Sequence, residues 1–131
     1  MKKIILRGSL IFISLIVIFG VIITITLSLN MREIRALPIT DKTISSLEDG
    51  TYDGSYYYQE DQLGAHVEVT IKDGLIIDIN LLEHITTRGQ DAEEIIDDII
   101  TEQRIDVDAI SGATTSSHVI KLAISDALEV E

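Results

Sequence analysis

Three hydrophobic patterns follow one another along this chain. From Leu10 to Leu29 no charged residue occurs, and most positions are Ile, Leu, Val or Phe. A helix needs about 20 apolar residues to cross the hydrocarbon core, whereas a buried core helix would be shorter and show a polar face. Residues 10–29 are therefore expected to form a transmembrane anchor, with residues 1–9 before it. The second pattern is alternation. Val67, Val69 and Ile71 lie two apart, the period of a half-buried strand. Asp73-Gly74 is a two-residue hairpin signal, and Leu75 to Leu82 is the return strand. Its alternation is less clean, which suggests a more central place in the sheet. Upstream, Thr51 to Tyr58 reads as a strand with Tyr56 and Tyr58 on one face and Tyr57 on the other, and Gln59 to Gly64 as a polar turn. The third pattern is helical. Ala92, Ile95, Ile96, Ile99 and Ile100 predict a helix over Asp91–Gln103, with Asp91, Glu93 and Glu94 at its electropositive start. Val119, Ile120, Ala123, Ile124 and Leu128 predict a second over Thr115–Val130, and Arg104 to Ile110 connects the two.

Residues 30–47 mix charges with Pro38 and show no apolar period, so they read as a linker, and residues 48–131 as one domain. The expected fold is α+β: a small antiparallel sheet covered on one side by about two helices.

Charge refines this picture. Lys2, Lys3, Arg7 and the amino terminus precede the apolar segment, while Arg32 and Arg35 after it are partly offset by Glu33. This bias places the N-terminus inside and the domain on the extracytoplasmic face of the cell membrane. A cleaved signal peptide is the competing reading. Its apolar region would be shorter, about 7–15 residues, and followed by small residues, and the sequence after Leu29 lacks them. From Lys42 onward five basic residues face twenty acidic ones, a net charge near −15. Such a surface repels nucleic acid. With no cysteine the chain builds no disulfide, thiolate metal site or iron–sulfur cluster. The three histidines, His66, His84 and His118, have no metal-ligand spacing.

The stretch that carries chemistry is Asp106 to Ser117, just before the last helix. Its hydroxyls, Ser111, Thr114, Thr115, Ser116 and Ser117, admit two readings. They could cap the helix, since Ser and Thr oxygens accept bonds from its first N–H groups. Alternatively the small residues and the helix start could seat a phosphate. No Gly-Lys-Ser/Thr is present, so this is not a P-loop.

Asp108-Ala109-Ile110-Ser111-Gly112-Ala113-Thr114 resembles the flavinylation motif of the FMN-binding domain family, Asp-x-x-Ser/Thr-Gly-Ala-Thr. That family includes the covalent-flavin subunits of Na⁺-pumping NADH:quinone oxidoreductase and of the Rnf complex. The chain is more similar to its small stand-alone, membrane-anchored members. The similarity extends from Asp49-Gly50-Thr51-Tyr52-Asp53-Gly54 through the hairpin at Val67–Ile76. His84-Ile85-Thr86-Thr87-Arg88-Gly89 stands where many members have His-x-Glu-Thr-Pro-Gly, so Thr86 replaces Glu and Arg88 replaces Pro.

The resemblance implies FMN attached covalently to Thr114 by a phosphoester bond, taken from FAD by a flavin transferase. It implies Asp108, Ser111, Gly112 and Ala113 as recognition residues, with Thr115, Ser116 and Ser117 shaping the phosphate seat and His84 and Thr87 in the flavin-facing loop. It implies an electron-transfer carrier rather than a complete enzyme. The carrier would lie between a membrane donor, quinone-linked or a reductase, and an extracytoplasmic acceptor. The alternative from another class is a cofactor-free acidic interaction module at the cell envelope.

Overall fold

Pro38 sets the first boundary. The computed structural model describes residues 2–39, 44–59 and 62–129. Met1, residues 40–43 of the expected linker, 60–61 of the first turn, and 130–131, including the expected last helical residue Val130, lie outside the described residues. Helix α1 runs over Lys2–Arg35. It therefore continues through Asn30–Arg35, into the stretch expected as linker. Met31-Arg32-Glu33-Ile34-Arg35 contains no breaker, and Arg32 and Arg35 in the last turn suit the negative end of the dipole. Pro38 both lacks an N–H and bars Leu37 from helical geometry, so the helix stops just before it. Within α1, Ile11–Arg35 is long and apolar enough to cross a membrane. Thr24 and Thr26 donate to the carbonyls of Gly20 and Ile22, four residues back, at 2.9 and 3.0 Å. Hydroxyls bonded in this way need no water.

The second compact unit, Leu37–Glu131, is α+β. It contains a 3₁₀ turn at Ile44–Ser46, strands β1 (Gly50–Tyr58), β2 (Leu63–Lys72) and β3 (Leu75–Ile85), a 3₁₀ turn at Gln90–Glu94, helix α2 (Ile95–Glu102) and helix α3 (Thr114–Leu128). The sheet is antiparallel in the order β1-β2-β3. The hairpin forms where expected: Asp73 (φ 52°) and Gly74 (φ 72°) both take the positive φ of a type I′ turn.

The return strand is not central, however; β2 is. β3 pairs on one side only, and two register shifts break its alternation. Across from His66/Val67 the partner jumps from Glu83 to Leu81, and across from Thr70/Ile71 from Asp78 to Ile76. The residues passed over, Leu82 and Ile77, are exposed, while Ile76 and Ile79 are buried. Each bulge resets which side chains point inward, so the irregular pattern marks bulges rather than depth. The other edge of β3 is partly sealed by a side chain. Gln103, held in the left-handed conformation at the end of α2, accepts from Ile76 N–H and donates to the Ile76 carbonyl, both at 2.8 Å.

One sheet face is covered. α3 packs on β1 and β2, and α2 on β3. Ala65, Val67, Val69 and Ile71 of β2 are buried beneath them. At Gly54 the backbones nearly touch: a Cβ there would lie 2.2 Å from Ala127 N and 2.4 Å from the Ala123 carbonyl oxygen. The other face is polar, carrying Asp53, His66, Glu68, Thr70 and Glu83. Tyr57 lies there too, its ring over Gly64 and its hydroxyl donating to Glu83 at 2.6 Å. The expected interior face of α3 is buried as read. Ser116, Ser117, Lys121, Leu122, Ser125 and Ala127 are buried as well, so the helix is enclosed on nearly all sides.

Candidate functional site

The segment between α2 and α3 is more than a connection. Ile105 and Val107 are buried apolar plugs, and between and beyond them the chain is pinned to α3 by polar bonds. Lys121 Nζ donates to Asp106 Oδ1 at 3.0 Å and to the Val107 carbonyl oxygen at 2.9 Å. One turn earlier on the helix, Ser117 Oγ accepts from Ile110 N–H at 3.1 Å. The chain then reverses. Ala113 N–H donates to the Ile110 carbonyl at 3.0 Å, and Gly112, third of the four turn residues, takes φ +82°. Positive φ at that position is the signature of a type II turn. A Cβ on Gly112 would meet nothing within 4 Å, so conformation alone demands glycine and this side of the turn is open.

This geometry bears on the capping reading of the hydroxyls. The N-cap residue of α3 is Ala113, and no side chain caps the helix. The capping reading fails because the turn brings an alanine, not a hydroxyl, to that position. The hydroxyl residues instead divide by burial. Thr114, the first residue of α3, is exposed, as are Asp108, Ser111 and Gly112. Thr115 is half-buried and Ala113 buried. Ser116 and Ser117 are buried, and their hydroxyls are engaged inside the fold, Ser117 with Ile110 and Ser116 with Thr86 Oγ1 at 3.0 Å.

The second loop, Thr86–Gly89, packs against that same first turn of α3. A Cβ on Gly89 would fall 1.9 Å from Ser116 Oγ and 2.7 Å from Thr86 Oγ1. Thr86 is thus a partner of α3, while Thr87 and Arg88 are exposed. His84, the last residue but one of β3, has a buried side chain. Its Nδ1–H donates to Glu93 Oε1 at 3.0 Å, and its Nε2 is the one buried side-chain polar atom without a partner among the described residues. Cross-strand register places His84 beside Ala65, and Ala65 beside Tyr56. Thr86, two residues on, already touches α3, so the orphan nitrogen lies on the covered face near the end of the sheet where α3 begins. The chain enters the unit nearby: His118 Nε2 donates to the Leu37 carbonyl at 3.0 Å.

The sequence reading missed Lys121, and it quoted Asp106 and Gly89 only within longer stretches, with no role of their own. Counting apolar residues excluded Lys121 from the inner face. The available signal was its place four residues after Ser117, on a helix whose other inward positions are all small or apolar. Among the described residues no group of three or more His, Cys, Asp or Glu could hold a metal ion.

Residues 64–129 match the family model described as FMN-binding domain. The match begins within β2, so it takes in both loops and α3 but not β1. No curated protein and no solved structure matches the chain.

Proposed function

The chain belongs to the FMN-binding domain family, and from that premise we propose that it is a membrane-anchored, extracytoplasmic flavoprotein. In this reading FMN is joined covalently to Thr114 and the protein carries electrons. The observation that carries the reading is the position of Thr114: an exposed hydroxyl at the first residue of an uncapped helix, directly after an open glycine turn. An uncapped helix start offers unpaired N–H groups and partial positive charge, the environment a phosphodiester needs. No acidic residue stands in the first turn to oppose it.

The linkage forms when Thr114 Oγ bonds to the flavin-side phosphorus of FAD. The pyrophosphate P–O bond breaks, AMP leaves with the bonding pair, and the hydroxyl proton passes to water. A flavin transferase is the implied partner. The residues present fit the group beyond its phosphate. His84 Nε2 is a buried polar atom in want of a hydrogen bond, and a flavin ring edge is lined with donors and acceptors. Ser111 and Thr87 are exposed hydroxyl residues, one in each loop. Bound there, FMN supplies one- and two-electron transfer. Outside the cytoplasm a dissociated nucleotide would be lost by dilution, and a covalent link makes retention independent of affinity. α1 would hold the domain at the membrane surface, between a quinone-linked or reductase donor and an acceptor outside.

The test is direct. Co-expression with a flavin transferase should give a band that fluoresces after denaturing electrophoresis. The intact mass should rise by one FMN moiety, and Thr114→Val should abolish both. An unmodified mass beside a transferase proven active on another acceptor would refute the assignment.

A further inference from the structure

One buried cation takes no part in the reading above. Lys121 is 5% exposed, and a lysine is buried at a cost of several kcal/mol unless its charge is paired and hydrogen-bonded. Both acceptors it finds, Asp106 Oδ1 and the Val107 carbonyl, lie in the segment leading to Thr114, and no bond from its ammonium to the sheet is formed among the described residues. From Lys121 to Thr114 the contacts are continuous. The ammonium holds residues 106 and 107, Ser117 Oγ holds Ile110 N–H, and the Ile110 carbonyl closes the turn onto Ala113. The exposed recognition residues Asp108 and Ser111 sit between these anchor points.

We propose that Lys121 is a positioning residue for the modification of Thr114. It holds residues 106–110 along α3, so that Asp108, Ser111 and the Thr114 hydroxyl are presented to the transferase as one preformed surface. The inference rests on the reading of Thr114 as the flavin acceptor. Without the ammonium the segment must be ordered at each encounter, and that cost falls on recognition rather than on phosphoryl transfer.

The experiment uses the full chain in detergent, with purified transferase and FAD, and follows the initial rate of FMN incorporation against chain concentration. Lys121→Met keeps the length and apolar stem but removes the charge. The KM for the chain should rise roughly tenfold, the scale of losing charge-assisted hydrogen bonds, while the saturating rate stays within about twofold. Amide hydrogen exchange at Val107 and Ile110 should accelerate, with β2 amides unchanged. Asp106→Ala should move the same quantities in the same direction, and the double variant should fall short of the sum of the two, because each single change already removes the Lys121–Asp106 pair.

An unchanged KM in a folded Lys121→Met chain, or a fall in the saturating rate alone, overturns the proposal. Should Lys121→Met fail to fold, Asp106→Ala decides by itself. Its side chain is 64% exposed, so its removal leaves the core intact; a KM raised threefold or more with faster exchange at Val107 and Ile110 supports the proposal, and an unaltered KM, or a raised one without faster exchange, overturns it. If wild-type chain acquires no FMN mass, the acceptor assignment fails instead, and the exchange measurement still reports whether Lys121 holds the segment.

Discussion

Gly54 lies where β1 and α3 nearly touch backbone to backbone, and replacing it with alanine tests the packing on which the α3 placement depends. The added Cβ would sit 2.2 Å from Ala127 N, 2.4 Å from the Ala123 carbonyl oxygen and 2.5 Å from Ala127 Cα. All three are backbone atoms, so no rotamer change relieves the overlap. Ordinary contact begins at about 3.4 Å, so strand and helix must separate by about 1 Å. The layer that would open includes Val67, Ile120, Ala123 and Ile124, each fully buried. Overpacking typically costs about 1–3 kcal/mol, and a clash of backbone against backbone belongs at the top of that range. For a domain of this size about 3 kcal/mol lowers the melting temperature by roughly 12–24 °C.

The chain supplies its own probe. All four tyrosines, Tyr52, Tyr56, Tyr57 and Tyr58, lie in β1, and there is no tryptophan. Tyrosine near-ultraviolet circular dichroism therefore follows β1 and is blind to α1. Gly50→Ala is the control, since its Cβ would meet only a Tyr52 ring carbon at 3.9 Å. It should melt within a few degrees of wild type. A Gly54→Ala chain that melts as high as the control would show that β1 and α3 do not approach as described.

Three further outcomes follow from the same geometry. Gly112→Ala has room for its methyl group but needs φ +82°, so it should lose about 1–2 kcal/mol in denaturant unfolding; Gly112→Asn should lose less, because asparagine tolerates this region, and equal losses would mean that the turn is not left-handed there. His84→Leu removes a buried nitrogen that lacks a partner together with the Nδ1–H bond to the half-exposed Glu93, and the two effects oppose each other, so the unflavinylated chain should unfold within about 1.5 kcal/mol of wild type, while the visible spectrum of the flavinylated chain should shift; a loss above about 3 kcal/mol would assign His84 to stability. Tyr57→Phe removes the hydroxyl that donates to the exposed Glu83 and should cost under about 1 kcal/mol, whereas Tyr57→Ala also uncovers Gly64 and should cost visibly more in the same unfolding assay.

How much of this was legible in the sequence depends on how far each signal reaches. The hairpin at Asp73-Gly74 was readable because two adjacent residues determine it. The inner face of α3 was readable because Val119, Ile120, Ala123, Ile124 and Leu128 repeat at helical spacing. The order of strands was not, because bulges at Ile77 and Leu82 imitate the loss of alternation expected of a deeper strand. α1 outran its expected end because its apolar run stops before its helix does, and only Pro38 marks the true limit. At the site, Asp108 to Thr114 stood out as a contiguous motif. The bond between Lys121 and Asp106 spans fifteen residues and a chain reversal, and nothing local in either residue announces it. Thr86 looked like a missing glutamate until its hydroxyl was found against Ser116.

These long-range bonds also explain why the helix that carries Thr114 can begin uncapped. Residues 106–110 run beside α3 against its direction, meeting it at Lys121 and again one turn earlier at Ser117. Two anchors about 6 Å apart along the helix axis fix both the height and the rotation of the segment. The Ile110–Ala113 turn then places the first helical residue without help from a side-chain cap. A serine or threonine at the Ala113 position would stabilise the helix start by about 1 kcal/mol, by bonding the N–H groups that, in the proposed reading, face the phosphate at Thr114. With an alanine there no side chain caps the helix, and Lys121 and Ser117 hold the turn from behind. Ala113→Ser should accordingly raise the melting temperature of the unmodified chain and slow FMN incorporation. A variant that gained stability with no loss of incorporation rate would mean that the helix start is not where the phosphate is received.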